Sequence, residues 1–152
     1  MRKAKPMNAV DLLIEDHEYV RKSFKQFEKM DHEDKQALKG LVSQVCAALK
    51  VHTKVEEEIF YPAVRRKIDD QDLMFEAQIE HTSAKTLIRQ LERMKPGDPR
   101  YAPTFTVLCE YVDHHAKEEE KEMFPKARRR KVDLRGLAKK IVARKLTLER
   151  RA

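Results

Sequence analysis

One short phrase occurs twice in this chain, as His52-Thr-Lys-Val-Glu56 and His115-Ala-Lys-Glu-Glu119, and a proline follows each histidine ten residues later, at Pro62 and Pro125. A further histidine stands upstream of each phrase, His17 by 35 residues and His81 by 34. Aligning His17 with His81 lays Lys25-Gln-Phe-Glu-Lys-Met30 on Arg89-Gln-Leu-Glu-Arg-Met94, and aligning His52 with His115 lays Cys46 on Cys109. The chain therefore reads as one helical hairpin used twice. Such a duplication closes naturally into an all-α, up-down-up-down four-helix bundle with a pseudo-two-fold axis.

The apolar pattern agrees. Leu13, His17, Val20, Phe24 and Phe27 recur in steps of three and four, the spacing of a helix packed on one face. Asn8, with Asp11 three residues on, predicts the N-cap of this first helix. Comparable seams run from Leu38 through His52 to Ile59, from Met74 through His81 to Leu91, and from Leu108 through His115 and Glu119 to Met123. Pro62 is expected to kink or end the second helix, and Lys95 to Pro99 form the clearest loop. Only three glycines in 152 residues fit so helical a reading. The expected layout is a single domain over 1–152, with the bundle at about 8–128 and a basic C-terminal helix at about 133–150.

Antiparallel helices rise equally from their turn, so residues equidistant from it share a level. The midpoint of 17 and 52 falls at Asp34 and Lys35, and that of 81 and 115 at Asp98, both in expected turns. All four histidines then occupy one layer and point inward. Buried without partners, each would cost about 1–3 kcal/mol. Glu56 and Glu119, one turn beyond His52 and His115, reach the same layer from opposite helices. Four imidazoles and two carboxylates in one core suit two divalent transition metals bridged by carboxylates. Glu57 and Glu120, one residue later, are the alternative carboxylates if the helix phase shifts.

These residues resemble the hemerythrin-like, HHE cation-binding family over about residues 8–125, the His-x3-Glu phrases ending in Phe60-Tyr-Pro62 and Phe124-Pro125 being the specific part. The resemblance implies two non-haem iron ions that meet dioxygen, peroxide or nitric oxide. It implies His17 and His52 on one iron, His81 and His115 on the other, and Glu56 and Glu119 as bridges. Oxygen-carrying members have a fifth histidine one turn from the third; here the flanking positions are Ala77 and Lys85. The more open site favours peroxide or nitric oxide chemistry over dedicated carriage, with catalase-like peroxide dismutation leading. Oxygen or iron sensing or storage without turnover is the alternative.

Charge is unevenly placed: residues 126–152 hold 12 Lys/Arg against 2 Asp/Glu, whereas the other 125 residues hold 21 against 24. Since isolated charge runs are ordinarily solvated and no aromatics interleave this one, a small-molecule ligand is the expected partner, and a basic helical nucleic-acid-binding protein is kept only as a lesser alternative. No apolar run approaches a membrane span, and the first residues do not form a signal peptide, so the expected location is cytoplasmic. Cys46 and Cys109 are expected to pack rather than react, His32 to lie on the solvated surface, and His114 to lie outside the direct ligand set. Tyr111 either walls the metal pocket or fills core.

Overall fold

The computed structural model describes residues 7–151, and these form helices and connecting turns with no strand among them. Helix α1 spans Ala9–Lys29 and α2 spans Lys35–Val55; a π-helical turn, Glu56–Phe60, then leads into the short α3, Tyr61–Lys67. The second half repeats this plan. Helix α4 (Gln71–Arg93) is followed by α5 (Tyr101–Glu118), a π turn at Glu119–Met123 and α6 (Phe124–Arg129); α7 (Leu134–Arg151) completes the chain. The four long helices make the expected bundle, with the basic helix laid along α1 and α2.

Local chemistry fixes the helix starts. The Asn8 side chain accepts from Asp11 N–H while Asp11 accepts from Asn8 N–H, both at 3.0 Å, a reciprocal cap. Asp34 and Asp70 cap α2 and α4 in the same sense through the N–H groups of Ala37 and Leu73.

Pro62 does not end the helical run as one form of the expectation had it. The α-helical pattern is interrupted by a π turn just before it, and the chain continues helical to Lys67. The Tyr61 N–H reaches back to the Glu56 carbonyl and Phe124 N–H to Glu119, five residues each. A proline ring clashes with the carbonyl four residues earlier in an α-helix. The wider turn shifts that pairing upstream of the proline, so each site glutamate opens a π turn.

Apolar packing divides into two clusters. One, at the end where the π turns lie, gathers Leu13, Val55, Phe60, Val64, Met74, Met123, Phe124 and Ile141. The other, toward the hairpin turns, gathers Val20, Phe27, Leu38, Val45, Leu49, Ile88, Phe105 and Leu108. Full burial of side chains such as Phe60, Phe105 and Phe124 stabilises by about 1.5–3 kcal/mol each. Buried His17, His52, His81 and His115 lie between the clusters, sealed above and below.

Helix α7 docks through buried Leu137, Ala138 and Ile141. It is also pinned by charge: Arg144 reaches Glu58 at 3.0 and 3.1 Å, and Lys145 reaches Asp16 at 2.6 and 2.8 Å. The turn before it places Lys131 at φ 57°, with Val132 N–H to Ala127 O and Lys131 N–H to Arg128 O, a Schellman ending carrying lysine where glycine is usual.

Candidate metal centre

Each long helix supplies one histidine, and the rings fall into two close pairs. His17 and His52 have centroids 5.1 Å apart; His81 and His115 are 5.0 Å apart. Glu56 Oε1 lies 3.0 Å from both His52 Nε2 and His81 Nε2, one from each pair. Glu119 Oε1 likewise lies 3.2 Å from His17 Nε2 and 3.5 Å from His115 Nε2. The two carboxylates thus span the pairs from opposite helices. Donor atoms converge within 4.8 Å in two groups, His17, His52, Glu56 and Glu119, and Glu56, His81 and His115.

Three atoms of this layer, His17 Nε2, Glu56 Oε2 and Glu119 Oε1, are buried without a hydrogen-bond partner. Leaving such atoms unsatisfied costs about 1–3 kcal/mol each. His17, Glu56 and Glu119 belong to one group whose donor atoms lie within 4.8 Å of one another, so a divalent cation bound among them would relieve that cost. The donor set, imidazole nitrogens with carboxylate bridges, fits a first-row transition metal.

A second ring of carboxylates holds the histidines from outside. His17 Nδ1 is 2.7 Å from Glu120, His52 Nδ1 is 2.8 Å from Asp16, His81 Nδ1 is 2.8 Å from Glu57, and His115 Nδ1 is 2.8 Å from Glu80. Donation from Nδ1–H to an outer carboxylate fixes the tautomer and turns the Nε2 lone pair inward. Three of these acids carry a cation: Arg21 on Glu120, Lys145 on Asp16 and Lys85 on Glu57. Glu57 and Glu120 are therefore orienting groups, and the structure seats Glu56 and Glu119 in the inner layer. Of the outer acids, Asp16 and Glu80 carried no signal in the sequence pattern.

With carboxylates on both sides, His52, His81 and His115 hold protons tightly. Burial opposes the charge, but Glu56 and Asp16 outweigh it and hold His52 well above its ordinary range; Glu56 and Glu57 raise His81 to about 9. His115 also rises, burial being overcome by Glu119 and Glu80. Burial and the neighbouring Glu56 charge push Glu119 up.

Tyr61 is the residue that the spacing argument missed. Its hydroxyl donates to Glu119 Oε2 at 2.7 Å and lies 3.0 Å from His81 Nε2 and 3.1 Å from His115 Nε2. Burial and the Glu119 and Glu56 charges hold its phenol well above the usual range, hence protonated. Nine residues at 100° would put Tyr61 on the far side of an α-helix from His52. The π turn brings it round. Its counterpart in the second half is Phe124, stacked on His17 at 6.0 Å with rings 5° from parallel.

Other expected side chains sort plainly. Tyr111 walls a cavity of about 20 Å³ against the histidine layer, together with Leu49, Ala84 and Val112. His114 is exposed and pairs with Glu118 at 3.2 Å. His32 differs from expectation: it stacks on Phe27 at 4.4 Å, and its Nε2 lies 2.8 Å from the Phe27 carbonyl. Cys46 and Cys109 are buried, and burial pushes the Cys46 thiol up to about 11. A groove of about 420 Å³ between α1 and α5 reaches His17 past Arg21 and Phe24. No helix among the described residues is long and apolar enough to cross a membrane.

The profile of the family described as Hemerythrin HHE cation binding domain matches residues 8–127. A curated relative, a DNA nickase of Nostoc sp. (strain PCC 7120), is 28% identical over 118 residues, 78% of this chain; the match spans a third of that longer protein. Among solved structures, a Hemerythrin HHE cation binding domain-containing protein from Mycobacterium kansasii superposes with a TM-score of 0.76 over 93% of this chain and 87% of that one, at 22% identity. That likeness establishes the fold.

Proposed function

Because the chain belongs to the hemerythrin HHE cation-binding family, we propose that His17, His52, Glu56, His81, His115 and Glu119 hold two non-haem iron ions and that the loaded protein dismutates peroxide. In this reading His17 with His52 and His81 with His115 each hold one ion, and Glu56 and Glu119 bridge them. The observation that carries it is the set of unsatisfied buried donor atoms on His17, Glu56 and Glu119, all facing one layer.

Iron, when bound, would supply the redox capacity that turns two peroxides into dioxygen and two waters. The chain's own residues do the rest. The cavity of about 20 Å³ beside the histidines is about one water in size, so that space itself would hold only a very small molecule. Leu49, Ala84 and Val112 keep that space apolar. Tyr61 holds a proton at Oη, which it donates to Glu119. The same oxygen lies 3.0 Å from His81 Nε2, on the half of the layer where the flanking positions are Ala77 and Lys85.

Metal analysis of protein loaded under reducing conditions is expected to give about two irons per chain. Oxygen evolution from peroxide is expected to vanish in His52→Ala and Glu119→Ala. Zinc as the sole tightly held metal would make the site structural. A reversible dioxygen spectrum with no peroxide turnover would make the protein a carrier or sensor.

A further inference from the structure

Helices α2 and α5 run toward the same end of the bundle, so α3 and α6, which continue them, both emerge there. Each ends in a basic triplet. Arg65, Arg66 and Lys67 close α3; Arg128, Arg129 and Arg130, at the same positions of the repeat, close α6, and Lys131 follows. All seven are exposed, as is Arg135 in the first turn of α7. A surface cleft of about 180 Å³ joins the α3–α4 turn to α6, with Ile68 and Asp69 on one wall and Arg129 and Arg130 on the other. Lys126 ties that turn to α6 through Asp70 at 2.6 Å.

Cations outnumber acids at this end, where exposed Asp69 shares the cleft. Lys126, Arg144 and Lys145 each pair with an acid of the body, but among the described residues none of the eight forms an ion pair. Two nearby acids are committed to the backbone, Asp70 to the N–H of Leu73 and Asp133 to that of Gly136. Read along the sequence, the tail is a lone charge run of the kind usually solvated. The fold adds a second cluster from 63 residues upstream and builds a face.

We propose that this end of the bundle binds the phosphate backbone of double-helical nucleic acid without sequence preference. Six of the eight cations are arginines, whose planar fork matches phosphate oxygens. No aromatic stands within either cluster, as stacking on single strands would require. The exposed large apolar residues, such as Phe75, Ile79 and Val107, lie outside both clusters, so nothing there inserts into a lipid surface. Two basic clusters at one end of the bundle, linked through the α3–α4 turn, suit a duplex that presents phosphates on two strands. The surface is separate from the metal layer and makes no use of it.

Fluorescence anisotropy of a mixed-sequence DNA duplex of about 25 base pairs, titrated with the full chain, tests this. Neutralising four to six phosphates predicts that affinity falls about 10²–10³-fold between about 50 and about 200 mM salt. The triple variants R65Q/R66Q/K67Q and R128Q/R129Q/R130Q are each expected to weaken binding at least about tenfold and flatten the salt slope. Helicity and metal content, measured alongside, are expected to stay unchanged because all six side chains are exposed. Absence of binding at low salt overturns the proposal. So does binding indifferent to the Arg65 triplet, or equal affinity for single strands or anionic phospholipid vesicles.

Discussion

Every imidazole of the centre is gripped at Nδ1 by a carboxylate and faces another at Nε2, and at His52, His81 and His115 that setting favours the protonated ring in the metal-free site. His81, raised from 6.5 to about 9, is the measurable case. A histidine whose folded pKa is raised contributes stability that is fully present below its unfolded pKa and is lost as pH rises through the folded one. Metal-free protein is therefore expected to lose thermal stability between about pH 6.5 and about pH 9, while metal affinity rises over the same window as protons leave. Melting curves of chelated and loaded protein across that range check both halves; a metal-free melting point that climbs with pH would contradict the assignment. Tyr61 makes a second residue-scale prediction. Tyr61→Phe leaves Glu119 Oε2 buried without its 2.7 Å donor, so the metal-free protein is expected to lose about 1–3 kcal/mol in denaturant melts. Chelation is expected to expose that loss and loading to reduce it.

At the scale of helices, the seams through Leu13, Leu38, Met74 and Leu108 were legible because burial imposes a period, and the histidine layer followed from counting back to the turns. Tyr61 was not legible, because its place depends on one extra residue per turn, which no apolar period announces. Nor was the role of α7 in the centre: charge composition marks Lys145 as basic but cannot say that it meets Asp16, and through it His52. Lys145→Met keeps the packed stem and removes that charge. It is expected to weaken metal binding by up to about tenfold in chelator competition, less than the direct change Asp16→Asn, at about 10–100-fold. The Schellman turn offers a check of a different kind. Lys131 holds φ 57° at a cost that glycine avoids, so Lys131→Gly is expected to raise stability by about 0.5–1 kcal/mol in denaturant melts.

Across the whole molecule, the polar layer separates two apolar clusters, and a metal bound there would reconcile it with them. Stripping the metal is expected to lower the melting temperature in proportion to the lost binding free energy, with reloading restoring it. His17→Ala is expected to shrink that difference, since it removes one of the converging donors.

Duplication, left alone, would make two ions held as proposed into twins with no basis for dividing labour. A phenol at Tyr61, where the other half has a plain benzene ring at Phe124, would break that equality with a single oxygen atom. Iron-loaded protein is thus expected to show two distinguishable Mössbauer environments, and Tyr61→Phe to draw them together. What ancestry made interchangeable, one side chain has given direction.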